Sequence, residues 1–251
     1  MKLKTRTLTL PALLLSALAV PAFAEDQPAA ADEPTKTLAE QLEETNKKSV
    51  DRLPEATRMK FKQAIDEVRE SKIEKTAKQV GDQAPDGTLA GWDGEEVTLS
   101  ELWKEQPIVL MWYRGGWCPY CNLQLKAMEE SLGELEGAGA RLVVLSPELP
   151  ENAKQTAEAN ELTFKVLHDS QSELAHKYGI VFPLSDLITG IYRDRLKLPA
   201  VNGYDTMELP LAATYIVDRQ GVIRYAFLDA DYKKRAEPAE IIKAVKTLDN
   251  E

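Results

Sequence analysis

Apolar positions recur along this chain with two periods, and their order predicts the fold. Between Leu38 and about Lys78 the spacing is helical: Leu38 and Leu42 share a face, and Phe61, Ile65 and Val68 recur at i, i+4 and i+7. Pro54 interrupts the run, so two helices are expected, packed on a domain or serving a partner surface. Turn signals in "VGDQAPDG" (80–87) then open a main domain. There "EEVTLSEL" (95–102) predicts a short strand followed by a helix capped by Ser100. "PIVLMWY" (107–113) is nearly all apolar, the pattern of a strand buried on both faces, and "ARLVVLS" (140–146) repeats it. "LTFKVLHD" (162–169) predicts a third strand.

Between these strands the period returns to that of a helix. Leu123, Leu125, Met128, Leu132 and Leu135 line one helix that ends at Gly137 and Gly139. "PENAKQTAEAN" and "SELAHKYGI" predict two more. "TYIVDRQGVIRYAFL" (214–228) reads as a hairpin turning at Asp218–Gly221. "EPAEIIKAVKTL" (237–248) closes the chain as a helix with Pro238 in its first turn. The order β–α–β–α–β–α, then a hairpin and a helix, predicts an α/β domain with a central, mostly parallel sheet flanked by helices. In such sheets ligands bind at the carboxyl ends of the strands.

The first residues read differently. "MKLKTR" is basic, "LTLPALLLSALAV" is a short apolar run, and Ala22-Phe23-Ala24 fits a small-x-small cleavage site. This predicts a secretory signal peptide over residues 1–24, too short in its apolar run for a membrane span of about 20 residues. Residues 25–36, "EDQPAAADEPTK", are acidic and rich in Ala and Pro, and read as a disordered tether. The expected organisation is therefore signal peptide 1–24, tether 25–36, helical extension 37–79 and main domain 80–251. The formal charge of −10 becomes −13 once Lys2, Lys4 and Arg6 are removed, which argues against nucleic-acid or anionic-membrane partners. A bacterial-looking leader places the expected mature chain in the periplasm, where thiols are kept oxidised.

Both cysteines lie in "YRGGWCPYCNLQL" (113–125), where the first buried strand gives way to its helix. A helix start supplies unpaired N–H groups and the positive end of the helix dipole, which favour a thiolate. Cys118 and Cys121 are three residues apart, so a disulfide can close within one turn, and Pro119 suits a helix start that needs no N–H there. A permanent clasp closing so small a loop would be a weak staple. Zinc would need about four ligands, and His168 and His176, the two histidines, have no ligand spacing between them. A redox pair is the reading these features favour. Arg114 is a candidate for stabilising a thiolate or a developing charge on a peroxide oxygen, the alternative being a solvated loop arginine. Gly116, with Gly115, lets the loop backbone approach a substrate, and Trp117 with Tyr120 would wall the site. "PIVLMWY" holds no carboxylate, so none is expected behind the sulfurs as a proton relay.

"GDQAPD", "PIVLMWYRGGWCPYCNLQL", "ATYIVDRQGVIRYAF" and "DADYKKRAEPAEII" together resemble the peroxiredoxin-like branch of the alkyl hydroperoxide reductase/thiol-specific antioxidant family. The resemblance runs from about Lys36 to the C-terminus and implies a thioredoxin-like fold. It further implies reduction of hydrogen peroxide or organic hydroperoxides by thiols, no cofactor, and recycling by a thioredoxin-like or other dithiol donor. In that register Cys121 stands at the attacking position, while Arg114 and Cys118 stand where the family carries a proline and a threonine. The arginine that the family places at the start of a later strand is absent from "LPLAATYIVD".

Three functions follow as expectations. In a thiol peroxidase, Cys121 attacks the peroxide and Cys118 resolves the sulfenic acid. In a periplasmic thiol–disulfide oxidoreductase acting on protein disulfides, Cys118, taken as the more exposed sulfur, forms the mixed disulfide. In a copper carrier, the two thiolates hold Cu(I).

Overall fold

The structure, a computed structural model, describes residues 36–248. The expected leader and all but the last residue of the expected tether lie outside the described residues. The chain begins with three helices, α1 (Leu38–Arg52), α2 (Glu55–Glu70) and the single turn α3 (Ile73–Thr76). Then come β1 (Thr88–Gly91), β2 (Glu96–Thr98), α4 (Leu99–Glu105), β3 (Ile108–Trp112), α5 (Pro119–Glu130), α6 (Leu132–Gly137) and β4 (Arg141–Ser146). After α7 (Pro150–Ala159) and β5 (Val166–His168) follow α8 (Glu173–Tyr178), β6 (Val181–Pro183) and α9 (Asp186–Gly190). Residues Ile191–Arg195 continue α9 as a π-helical turn. The last elements are α10 (Leu198–Asn202), β7 (Glu208–Pro210), β8 (Thr214–Val217), β9 (Ile223–Phe227) and α11 (Pro238–Leu248).

The main sheet runs β2-β1-β5-β4-β3-β8-β9. Its centre, β5-β4-β3, is parallel, as crossover helices require. The strands outside that centre pair antiparallel, and short turns join β1 to β2 and β8 to β9. Every residue of β3 is buried, and its side chains divide by parity. Ile108, Leu110 and Trp112 join the core on one face, Val109 and Met111 the core on the other. The helices and strands expected from the apolar pattern around β3, β4 and the β8–β9 hairpin are thereby in place.

Local details differ. The cap of α4 is Thr98, not Ser100, and the Ser100 N–H instead donates to the Asp86 carboxylate at 2.9 Å. The helix after the cysteines breaks at Ser131 (φ −100°, ψ 0°) into α5 and α6. Ser131 and Gly133 are both poor helix residues at the break. The third strand shortens to Val166–His168. Residues 181–211, to which the apolar pattern assigns no element, build the β6–β7 pair, α9, the π-turn and α10.

The N-terminal helices lie on the domain. α1 packs against α5, and α2 against α9. Thr37 and Glu40 cap α1 reciprocally, and the Ala39 N–H donates to the carboxylate of Glu237, just before α11. Glu74 of α3 accepts from the Ala230 N–H at 2.6 Å. Leu38, Leu42, Ile65 and Val68 are buried by this packing, each large side chain contributing roughly 1.5–3 kcal/mol.

Candidate active site

β3 delivers the chain to the carboxyl edge of the sheet, where residues 113–118 turn into α5. Gly115 (φ +142°) makes the turn possible: a β-carbon there would lie 2.2 Å from the Trp117 indole nitrogen. At Gly116 a β-carbon would lie 2.0 Å from Thr156 Oγ1, so α7 leaves no space for a side chain. Cys118 is the N-cap of α5, Pro119 occupies its first position, and Cys121 sits in the first turn. The Cys121 N–H donates to the Cys118 carbonyl at 3.0 Å. Both sulfurs are free thiols and both are buried, Cys118 at 2% and Cys121 at 0% exposure. The expectation that Cys118 is an exposed sulfur therefore fails. Helix α1 packs on α5, and Tyr232 packs edge-on against Tyr120 of that helix.

The two sulfurs are not equivalent. Burial pushes the Cys118 thiol up, and donating its S–H to Cys121 raises it further. Burial alone would push Cys121 up as well. The S–H bond from Cys118, the Arg235 guanidinium, a backbone hydrogen bond from Arg114 and then the Arg114 charge outweigh it, holding Cys121 near pH 5. Arg235, only 5% exposed, donates from Nη2 to the Cys121 sulfur at 3.3 Å. Its second terminal nitrogen, Nη1, donates to the carbonyls of Tyr232 and Lys234, which fixes the guanidinium in place. Arg235 lies in the loop before α11, within the string "DADYKKRAEPAEII" that carries the family resemblance, but nothing in its local spacing assigned it to the sulfurs.

Arg114 is a buried residue, not a solvated loop arginine, with 2% of its surface exposed. It donates to the Tyr192 hydroxyl, and its guanidinium carbon stands 4.4 Å from the Tyr232 ring centre, 5.2 Å from Trp117 and 5.6 Å from Tyr192. Trp117 meets Tyr192 edge-on at 5.5 Å, and Tyr120 meets Tyr232 at 5.7 Å. Tyr192 comes from the π-turn, within the segment the apolar pattern left unassigned.

The expectation of no buried carboxylate is also overturned. Glu148, 1% exposed, accepts from the Tyr113 hydroxyl, from the Gly116 N–H at 3.0 Å and from Thr156 Oγ1 at 3.2 Å. Burial pushes its carboxyl above the usual range, against the pull of those three bonds. It comes from the loop between β4 and α7, so inspecting β3 could not find it. Asn122 adds a bond to the Gly116 carbonyl at 2.9 Å, so both polar groups of that glycine are held. The histidines lie elsewhere: His168 ends β5, and His176 pairs with Glu208 at 3.0 Å.

A sequence model of the family described as "AhpC/TSA family" matches residues 80–226. Chloroplastic peroxiredoxin Q of Triticum aestivum is 26% identical over 168 residues, 67% of this chain and 67% of that protein. Peroxiredoxin Bcp of Escherichia coli K12 is 28% identical over 102 residues, 41% of this chain and 65% of the relative. The matches thus span about two thirds of the length of these curated relatives. Peroxidoxin BcpB from Mycobacterium tuberculosis matches with a TM-score of 0.53 at 17% identity, covering 68% of this chain and 97% of that one. A peroxiredoxin-like protein from Aquifex aeolicus matches at 0.55 and 22% identity, covering 68% and 88%. These likenesses share the thioredoxin-like α/β fold described above.

Proposed function

Because this chain belongs to the AhpC/TSA family, we propose that it is a thiol-dependent peroxidase in which Cys121 attacks the peroxide and Cys118 resolves the product. The observation that carries the assignment is the asymmetry of the pair: Cys121 receives both the Cys118 S–H and the Arg235 N–H. The thiolate is the nucleophile, so the sulfur held ionised is the one that attacks.

The Cys121 thiolate attacks one peroxide oxygen and the O–O bond breaks. Sulfur keeps that oxygen as a sulfenic acid, and the other leaves as an alkoxide or hydroxide that takes up a proton. Arg114, with Nε and Nη1 buried and without partners among the described residues, stands where its charge stabilises the departing oxygen. Cys118 then loses its proton and displaces hydroxide from the sulfenic sulfur, forming the disulfide and water. An external dithiol, thioredoxin-like or smaller, returns two electrons and two protons. The leader-like start of the chain supports placing this cycle in the periplasm. Burial of both sulfurs in the reduced protein favours a small peroxide over a folded protein disulfide as the oxidising substrate.

Mass spectrometry of reduced protein after one equivalent of hydrogen peroxide tests the assignment. Cys118→Ser is expected to stop at a sulfenic acid on Cys121, and Cys121→Ser to leave peroxide unconsumed. A sulfenic acid on Cys118 overturns it.

A further inference from the structure

A sealed redox pair needs a way in, and two adjoining hollows mark one. The smaller, about 20 Å³, is lined by Arg114 and Tyr192 together with Phe61 and Ile65 of α2. It has room for about one water-sized molecule. The larger is a groove of about 290 Å³ between α1, α2 and residues 231–233. The two share Phe61, Ile65 and Tyr232, so one apolar wall separates the groove from the active-site arginine.

The groove is basic in an acidic protein. Arg58, Lys62, Arg69 and Lys233 line it against Asp66 and Asp231, while the whole chain carries −10. Lys62 and Arg69 share Asp66 at 2.9 and 3.0 Å, and Lys233 pairs with Asp231 at 2.8 Å. Arg58 meets no carboxylate among the described residues and donates only to the Val50 carbonyl, at 2.8 Å. The rest of the lining includes apolar surface, with Val50, Leu53 and the Tyr120 ring joining the shared residues Phe61, Ile65 and Tyr232. Such a lining suits a molecule with an apolar body and one negative charge. Of the described residues lining the groove, Tyr120 alone falls within residues 80–226, so the family-matched stretch does not account for this site.

We propose that the α1–α2 groove is the entry site for anionic organic hydroperoxides, a carboxylate meeting Arg58 and Lys62 while the peroxide end passes Phe61 and Ile65 toward Arg114. The proposal rests on the peroxidase reading. The reaction is the one already written, and the product alcohol keeps its carboxylate.

The test compares cumene hydroperoxide with its ring-carboxylated analogue, using dithiothreitol as donor. The wild-type protein is expected to show a kcat/KM at least about fivefold higher for the carboxylated probe, a preference that fades with added salt. Arg58→Glu should reduce that ratio about fivefold or more. Lys60→Glu, the same charge change on α2 outside the groove, should leave the ratio alone, which separates a local contact from net charge. Equal kcat/KM for both probes, or equal effects of the two variants, overturns the entry site while leaving the peroxidase standing. Failure to consume either probe or hydrogen peroxide overturns both.

Discussion

The Arg235 guanidinium donates to the Cys121 sulfur at 3.3 Å across 114 residues of chain. The contact is buried, so water screens it little, and the bonds from Arg235 Nη1 to two carbonyls leave it no freedom to turn away. Removing it by Arg235→Met should raise the Cys121 value by roughly one to two units. Peroxide consumption should then fall about two- to tenfold at pH 6, with the defect closing as pH rises and the thiolate reforms. Arg235→Lys should recover part of the rate. Stopped-flow rates across pH check this, and a defect of constant size at all pH values would argue for a merely structural arginine.

Alkylation by iodoacetamide should follow the ionisation of Cys121, half-maximal near pH 5 instead of near the ordinary thiol value of 9.0. Cys118, pushed the other way, should label far more slowly through the same range. Peptide mapping of the labelled protein separates the two sulfurs.

The same shift couples to stability. A thiol whose folded value lies below its unfolded one gives up its proton on folding. Relative to Cys121→Ser, the reduced protein should therefore gain stability as pH rises from about 5 toward 9, and lose it as pH falls back through 5. Cys118 stays protonated in both states below 9, so it adds no slope there. Urea unfolding of reduced protein at several pH values measures the difference.

Gly116→Ala places a methyl 2.0 Å from Thr156 Oγ1 and should destabilise by about 1–3 kcal/mol. Adding Thr156→Ala removes that oxygen and the methyl, so the double variant should recover part of the loss. Additive losses in urea unfolding would mean the two residues do not meet.

Glu148→Leu strands the Gly116 N–H and the Tyr113 hydroxyl and should cost about 1–3 kcal/mol in the same assay. Glu148→Gln keeps the shape and an acceptor for Gly116 and should cost less. Equal losses in the two variants would show that the carboxylate's charge, not its shape or one retained acceptor, is what Glu148 supplies.

What could be read from the sequence was whatever depends on neighbours along the chain. The apolar run 107–113 had to be a buried strand, Pro119 and the i, i+3 cysteines had to mark a helix start, and the alternation of periods had to give an α/β sheet. Less was legible where the local signal was weak: the short elements of residues 181–211 alternate too briefly for either period to show. The charge on Cys121 was beyond reach for a different reason. A sulfur's ionisation is set by what surrounds it in space, and Arg235 reaches Cys121 from the loop before α11, far along the chain. The sequence by itself determined that two sulfurs would meet at the start of α5 behind β3. Only the tertiary structure decided which one is ionised, because burial and a distant guanidinium act through space, and no local spacing records them.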